Sequence, residues 1–225
     1  SEKFYDQLGL DTPLINYNGG YVTSKNDPNF VPFSLTVEKE KVIDVFTKNK
    51  EFIHNAFGEI KDDIYLLRDE EDIRPLLHLF NGARLFVGEF KDTLKANTNG
   101  FIILANKGDG QYIEKYINET YPGEILCRNW GNDYKYIIEM FTADTNKGNA
   151  LEYVSNYLGF DRENIIAIGD AHNDIEMIKF AGHGVAMANA QDSLLEVADE
   201  ISKYTNLENG VAKYLREFFE NKKAM

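Results

Sequence analysis

The residues from Ile165 to Ala190, IIAIGDAHNDIEMIKFAGHGVAMANA, leave the chain few architectures. An apolar run ends in Gly169-Asp170. A helix-spaced segment, NDIEMIKFAG, follows, and a second apolar run, HGVAMANA, comes next. A strand apolar on both faces must be covered on both, and helices alternating with such strands make a parallel sheet. The alternation extends in both directions. KGNALEYVSNYLGF reads as a helix before this stretch. After it come a short helix with a Ser193-x-x-Glu196 capping box, the strand DEIS, and a closing helix, GVAKYLREFF. From about residue 140 onward, the expectation is an α/β sheet with helices on both faces.

The earlier part of the chain reads differently. Phe4, Tyr5 and Leu8 fall at helical spacing before a Gly9 stop. PLINYNGGYV is a short strand broken by the turn signal Asn18-Gly19-Gly20. TVEKEKVIDVFTKNK is helical, with Val42, Val45 and Phe46 on one face and Thr36 as the candidate cap. ARLFVGEF, GFIILANK, GEILCRNW and YKYIIEMF read as strands. GDGQYIEKYINETY, between the second and third of these, is a helix with Tyr112, Ile113, Tyr116 and Ile117 inward. Strands with few helices among them suggest a small α+β module. The expected organisation is therefore a core segment at 1–20, an inserted module at 21–138 and the rest of the core at 139–225, with a ligand pocket between the two.

The 225 residues carry 37 acids against 24 bases, a formal charge of −13. A surface that negative repels phosphate backbones, which argues against nucleic acid as a partner. A phosphorylated ligand would then need a local cation, from a metal or a lysine. Cys127 is the only cysteine, so no intrachain disulfide can form. No apolar run reaches the roughly 18 residues of a membrane span, and the first residues lack signal-peptide character. The expectation is a soluble cytoplasmic protein without a membrane partner.

Ligands of open α/β sheets sit beyond the carboxyl ends of the strands. Asp170 lies there, and Gly169 lets the backbone turn closely. Asp174 is four residues on, in the first turn of the next helix. Either acid alone would pass for a helix cap. A cap needs one side chain, and Asp170, Asn173 and Asp174 supply three, all oxygen donors suited to a hard cation such as Mg2+. The four histidines are scattered, which argues against zinc.

GDAHNDIEM followed by GHGVAMANA resembles the fourth motif of the haloacid dehalogenase superfamily, in the form carried by its Cof-type sugar-phosphate phosphatases. The resemblance implies that Asp170 and Asp174 bind an essential Mg2+, with Asn173 beside them. TNKGNAL resembles the third motif, which implies that Lys147 is the catalytic lysine, steadying phosphate and nucleophile. Asn18, in the Asn-Gly after the third core strand, and Asn189, in the Met-x-Asn-Ala stretch, become candidate substrate-binding residues. The implied fold is α/β: a Rossmann-like core, a parallel sheet with helices on both faces, incomplete at the N-terminus and interrupted by an α+β cap domain. The implied activity is Mg2+-dependent hydrolysis of a small phosphorylated metabolite such as a sugar phosphate. Trp130, Tyr134 and Tyr136 could line a pocket, but core packing is the better account of them.

Members of this family also begin with Asp-x-Asp-Gly-Thr, whose first Asp is the nucleophile, and carry a second motif with a Ser or Thr. GLDTPL, TADTNKG, GFDREN and KGDGQY contain Asp, but none fits that pattern. The chain reads as starting inside the helix after the second motif, and the expectation is an N-terminally truncated phosphatase. Two alternatives stay open: a catalytically inactive domain that binds a phosphorylated ligand or a protein, and a phosphomutase of the same superfamily.

Overall fold

The structure is a computed structural model that describes residues 2–61, 63–71, 73–77, 83–130 and 137–223 (backbone alone at 2–3 and 222–223). The chain divides into two compact units, one formed by 1–33 with 145–225 and the other by 34–144.

The first unit opens with helix α1 (Glu2–Leu8), then strands β1 (Leu14–Asn16) and β2 (Tyr21–Thr23). β1 and β2 pair antiparallel, Leu14 opposite Thr23. The chain leaves this unit through β3 (Phe33–Ser34), next to β2 in the sheet. The Asn18-Gly19 turn signal is realised as a tight turn with Tyr17, Asn18 and Gly19 all at positive φ, 51°, 53° and 99°. A side chain at Gly19 would put its Cβ 2.1 Å from the Asn146 carbonyl oxygen, so only glycine fits there.

The second unit contains α2 (Lys39–Lys48), β4 (Ile53–Ile60), β5 (Asp63–Leu66), β6 (Leu85–Val87), α3 (Phe90–Thr93), β7 (Phe101–Ala105), α4 (Gly110–Thr120), β8 (Ile125–Asn129) and β9 (Ile137–Thr142). Its six strands form one sheet in the order β6-β5-β4-β7-β9-β8. All pairs are antiparallel except β5 with β6. Val42, Val45 and Phe46 of α2 and Ile113 and Ile117 of α4 pack on Phe101, Ile103, Ile138 and Met140 of the sheet. Strand alternation turns Phe57, Ile64 and Leu66 to the other face, where Ile73 and Leu77 cover them.

Returning to the first unit, the chain runs α5 (Lys147–Leu158), β10 (Ile166–Gly169), α6 (Ile175–Phe180), β11 (His183–Ala186), α7 (Asp192–Leu195), β12 (Glu200–Ile201) and α8 (Gly210–Lys223). β10, β11 and β12 are parallel neighbours, Gly169 opposite Ala186. Ala167, Ile178, Ala181, Ala186 and Leu194 form the core beneath them. The expected helix–strand alternation is therefore present. No helix among the described residues is long and apolar enough to cross a membrane.

The differences from expectation are local. Residues 21–33 belong with the first unit, because β2 pairs with β1; the division falls at 34 and 144 rather than at 21 and 138. Ser193 lies inside α7, which starts at Asp192 after Gln191, so Ser193 and Glu196 form no capping box. The box forms instead at Thr205 and Glu208, where Glu208 Oε2 accepts from the Thr205 amide (3.0 Å) and hydroxyl (2.7 Å). Thr36 caps nothing, since α2 begins at Lys39 and the neighbouring Val37 bridges to Thr98. ARLFVGEF is strand only to Val87, and Phe90 opens a helix whose ring meets Phe46 and Phe101 edge-on at 4.5 and 4.9 Å. Tyr112 is half-exposed with its ring stacked on Phe52 at 5.0 Å, while Tyr116 and Tyr121 both donate to Asp44. Tyr134 and Tyr136 lie outside the described residues.

Ile138 is fully buried at the centre of the second unit. Ile138→Ala should lower the unfolding free energy by about 2–5 kcal/mol, read as a shift in urea midpoint at unchanged slope. Cys127 is half-buried in β8, and burial pushes its thiol up to about 12. The unfolded thiol ionises near about 8.5. The contribution of the buried thiol is thus complete below that pH and lost as pH rises toward the folded value. Alkylation of the native chain at mildly alkaline pH should run at least about 100-fold slower than that of the urea-unfolded chain.

Candidate active site

The candidate residues converge in the first unit at the carboxyl end of β10. That strand stops at Gly169, and Asp170 is the first residue beyond it. A single 3-10 turn, His172–Asp174, then leads into α6. The turn closes on the Asp174 carboxylate. Its Oδ2 accepts hydrogen bonds from the backbone amides of Asp170 (2.9 Å) and Ala171 (3.1 Å). A side chain at Gly169 would place its Cβ 2.5 Å from the Asp174 Cβ, which is why the strand ends in glycine. Asp174 is 4% exposed, so these bonds form where water competes little.

Lys147 is the first residue of α5, whose N-cap Asn146 accepts from the Asn149 amide at 2.8 Å. Its Nζ lies 2.5 Å from Asp174 Oδ1. One carboxylate therefore ties together a strand end, a helix start and a cation from a neighbouring helix. Asn18, held at φ 53°, accepts through Oδ1 from Asn173 Nδ2 at 2.9 Å. The sequence thus places Lys147, Asp170, Asn173, Asp174 and Asn18 in one cluster although 155 positions separate Asn18 from Asn173. An open cleft of about 480 Å³ is lined by Tyr17, Asn18, Lys147, Asp170, Asp174 and Met177.

Asn189 sits elsewhere. It does not line that cleft, and both ends of its amide face Asn206: Nδ2 donates to Asn206 Oδ1 (3.1 Å), and Oδ1 accepts from the Asn206 amide (3.0 Å). Asn206 in turn donates from Nδ2 to Asp170 Oδ2 at 2.6 Å. Sequence reasoning passed over Asn206 and Gln191, whose amide donates to the Asp170 carbonyl and whose Oε1 accepts from the His172 amide. Both are polar loop residues with no local pattern to set them apart. The Thr205-x-x-Glu208 box beside Asn206 was the available signal. Trp130, the one described member of the aromatic trio, hydrogen-bonds Glu139 in the second unit and is not part of the cleft.

Asp170, Asp174 and Asn173 offer only oxygen, the donor type that suits a hard divalent cation. Among the described residues no three His, Cys, Asp or Glu are grouped to hold a metal, so the two acids would need the Asn173 amide or water to complete a cation's shell. Asp170 Oδ1 accepts no bond among the described residues, and the carbonyl oxygen of Asn173 is likewise uncommitted.

A parallel α/β unit with two carboxylates and a lysine at its strand ends, carrying a separate α+β unit within its sequence, defines a hydrolase of the haloacid dehalogenase type. The family model described as haloacid dehalogenase-like hydrolase matches residues 1–215, and the chain belongs to that family, in its Cof-type branch. It is 31% identical over 220 residues to the 5-amino-6-(5-phospho-D-ribitylamino)uracil phosphatase YitU of Bacillus subtilis, covering 97% of this chain and 80% of that one. It is 40% identical to YwtE, a phosphatase of the same name from the same organism, over 96% and 81% of the two chains. Among solved structures, a haloacid dehalogenase-like hydrolase from Bacteroides thetaiotaomicron superposes with a TM-score of 0.80 at 24% identity, covering 96% of this chain and 81% of that one.

Asp174→Ala removes the partner of Lys147 and leaves two backbone amides unsatisfied in a buried turn. It should cost about 3 kcal/mol of stability, whereas Asp174→Asn, which keeps one carbonyl oxygen for those amides, should cost less. Urea titration of the two variants orders them.

Proposed function

We propose that this chain serves as a Mg2+-dependent phosphate-monoester hydrolase acting on a small phosphorylated metabolite, with sugar phosphates as the substrate class. The observation that carries this reading is the Lys147–Asp174 pair standing beside Asp170 in one cleft. The three side chains sum to a charge of −1, and a phosphate monoester brings about −2 near neutral pH. The site therefore rejects its substrate unless a divalent cation joins it. Asp170 and Asp174 would hold that cation, with Asn173 beside them. Bound there, Mg2+ would neutralise phosphoryl charge as a Lewis acid.

Lys147 has the complementary task. Pinned by Asp174, its ammonium would be held in place to donate to phosphoryl oxygens without reorganising. Asn18, steadied by Asn173, faces the same cleft and is proposed to contact substrate. Residues 34–144 are proposed as the cap that selects the substrate. The names of YitU and YwtE support a phosphorylated polyol-bearing molecule, since those phosphatases act on a ribitylamino phosphate. We take the compartment to be the cytoplasm.

The phosphoryl-accepting carboxylate is not assigned within these 225 residues, which contain no Asp-x-Asp-Gly-Thr. The test assays the protein on a panel of phosphate monoesters with Mg2+ and with EDTA. Phosphate release should require Mg2+ and fall at least about 100-fold in Asp174→Ala and in Lys147→Ala. Release that is indifferent to EDTA and to Asp174→Ala would overturn the proposal. Transfer between carbons of one sugar without release would replace it with a mutase.

A further inference from the structure

We propose that Asn206 is a positioning residue for the cation site: it orients the Asp170 carboxylate, and Asn189 acts through it rather than on the substrate. The inference rests on the proposed Mg2+ site and goes beyond it, since neither the motif nor the cleft lining includes Asn206.

The geometry comes from three bonds. Asn206 Nδ2 donates to Asp170 Oδ2 at 2.6 Å, Asn206 Oδ1 accepts from Asn189 Nδ2 at 3.1 Å, and the Asn206 amide donates to Asn189 Oδ1 at 3.0 Å. The Asn206 side chain is thus fixed at both ends. Because its carbonyl oxygen faces the Asn189 amide donor, its NH2 must face Asp170. A single exposed asparagine would hold a carboxylate loosely, as water competes for both groups. The reciprocal pair removes that freedom before Asp170 is engaged.

The two loops that carry the pair are themselves tied down. The 188–191 loop is anchored by the Ala188 amide on the Tyr204 carbonyl (2.9 Å) and the Gln191 amide on the Asp170 carbonyl (3.0 Å). The 205–208 turn is closed by the Thr205–Glu208 box, whose hydroxyl and amide hold the Glu208 carboxyl below its ordinary pKa. Asp170 is thereby bonded on both sides, at its carbonyl by Gln191 and at its carboxylate by Asn206. One carboxylate oxygen, Oδ2, is committed to Asn206, and Oδ1 remains for a cation. Partners of this kind fix ligand orientation in metal sites, and losing one weakens metal affinity by about 10–100-fold.

The contrast with Asp174 gives the pair its meaning. Asp174 is held by two backbone amides and by Lys147. Asp170 lies at the mouth of the turn, and its carboxylate depends on a side chain 36 residues away. Of the two acids, Asp170 is the one whose orientation can be lost without unfolding the turn.

The experiment measures Mn2+ binding to this chain by electron paramagnetic resonance, competed with Mg2+, alongside thermal melting. Asn206→Ala should weaken Mn2+ binding by about 10–100-fold while its melting midpoint stays within about 2 °C of wild type. Asn189→Ala should weaken binding less, and the double variant should be no worse than Asn206→Ala, since both act along one path. Glu208→Ala reports the alternative, a loop that merely unfolds: it should lower the melting midpoint more than the affinity. An Asn206→Ala chain that binds like wild type, while Asp170→Asn does not bind, overturns the inference and leaves the site intact. Additive losses at Asn189 and Asn206, or equal losses from Glu208→Ala, overturn it as well. Wild-type chain that takes up no Mn2+ at millimolar concentration, or Asp170→Asn that binds unchanged, overturns the metal site and the inference together.

Discussion

The rest of the first unit is arranged around one buried carboxylate. Asp174 would be costly at 4% exposure if left alone, by several kcal/mol for the unpaired charge. It is compensated from two directions: two backbone amides saturate one oxygen and the Lys147 ammonium meets the other. Each of these constrains the chain. The amides belong to Asp170 and Ala171, so the four-residue spacing between the acids is the length that folds the second carboxylate back over the first acid's own backbone. The lysine comes from the start of α5, so α5 must begin beside α6. Gly19 then has to press against the Asn146 carbonyl one residue before that lysine, which brings Asn18 into the cluster.

This dependence explains which parts were legible in the sequence. Asp170, Asn173, Asp174 and Lys147 sit in short motifs that resemble those of a known family, and the structure brings the four side chains together in one cluster. The alternation expected from about residue 140 was open too, because the runs that became β10 and most of β11 are apolar on both faces. β4 was missed although it is the longest strand of the second unit and lies at the middle of its sheet. Its sequence, IHNAFGEI, holds His54, Asn55 and Gly58 where a central strand should be apolar. The structure accounts for two of them. Asn55 is fully buried, yet both ends of its amide bond the Arg68 backbone (2.9 and 3.1 Å). Gly58 leaves room for the Phe101 ring, which a Cβ would meet at 2.5 Å. Polar satisfaction from a loop residue 13 positions away leaves no trace in hydrophobic periodicity. The same blindness hid Asn206, whose role exists only through its partners.

The edges of elements were read less well than their existence, and for a common reason. Ser193-x-x-Glu196 and Thr205-x-x-Glu208 are the same pattern, and only the second forms the box. Gln191 amide and carbonyl bonds already hold the chain just ahead of α7, so that helix starts a residue early and takes Ser193 inside. Tertiary anchoring decided between two locally equivalent candidates.

The charge of the molecule bears on how the proposed hydrolase would work. At −13, the chain as a whole repels a dianionic phosphate ester, although salt screens that field beyond about 8–10 Å. What matters is the balance inside that radius. Lys147 cannot supply it, because its charge is already matched by Asp174 at 2.5 Å. With Asp170 still unbalanced, the cluster stands at −1, and a divalent cation turns it to +1. On the proposed reading, affinity for phosphate would be a property of the metal-loaded site and nearly absent without metal. By linkage, substrate must strengthen metal binding by the same factor that metal strengthens substrate binding. The protein part of that coupling lies in how firmly Asp170 is aimed. A freely turning carboxylate would spend much of the cation's attraction on being ordered. One already fixed by Asn206 passes more of it to the phosphate. In the proposed hydrolase the acidic surface, unfavourable for the substrate, would serve the first step, since it would raise the local concentration of divalent cations before any phosphate arrives.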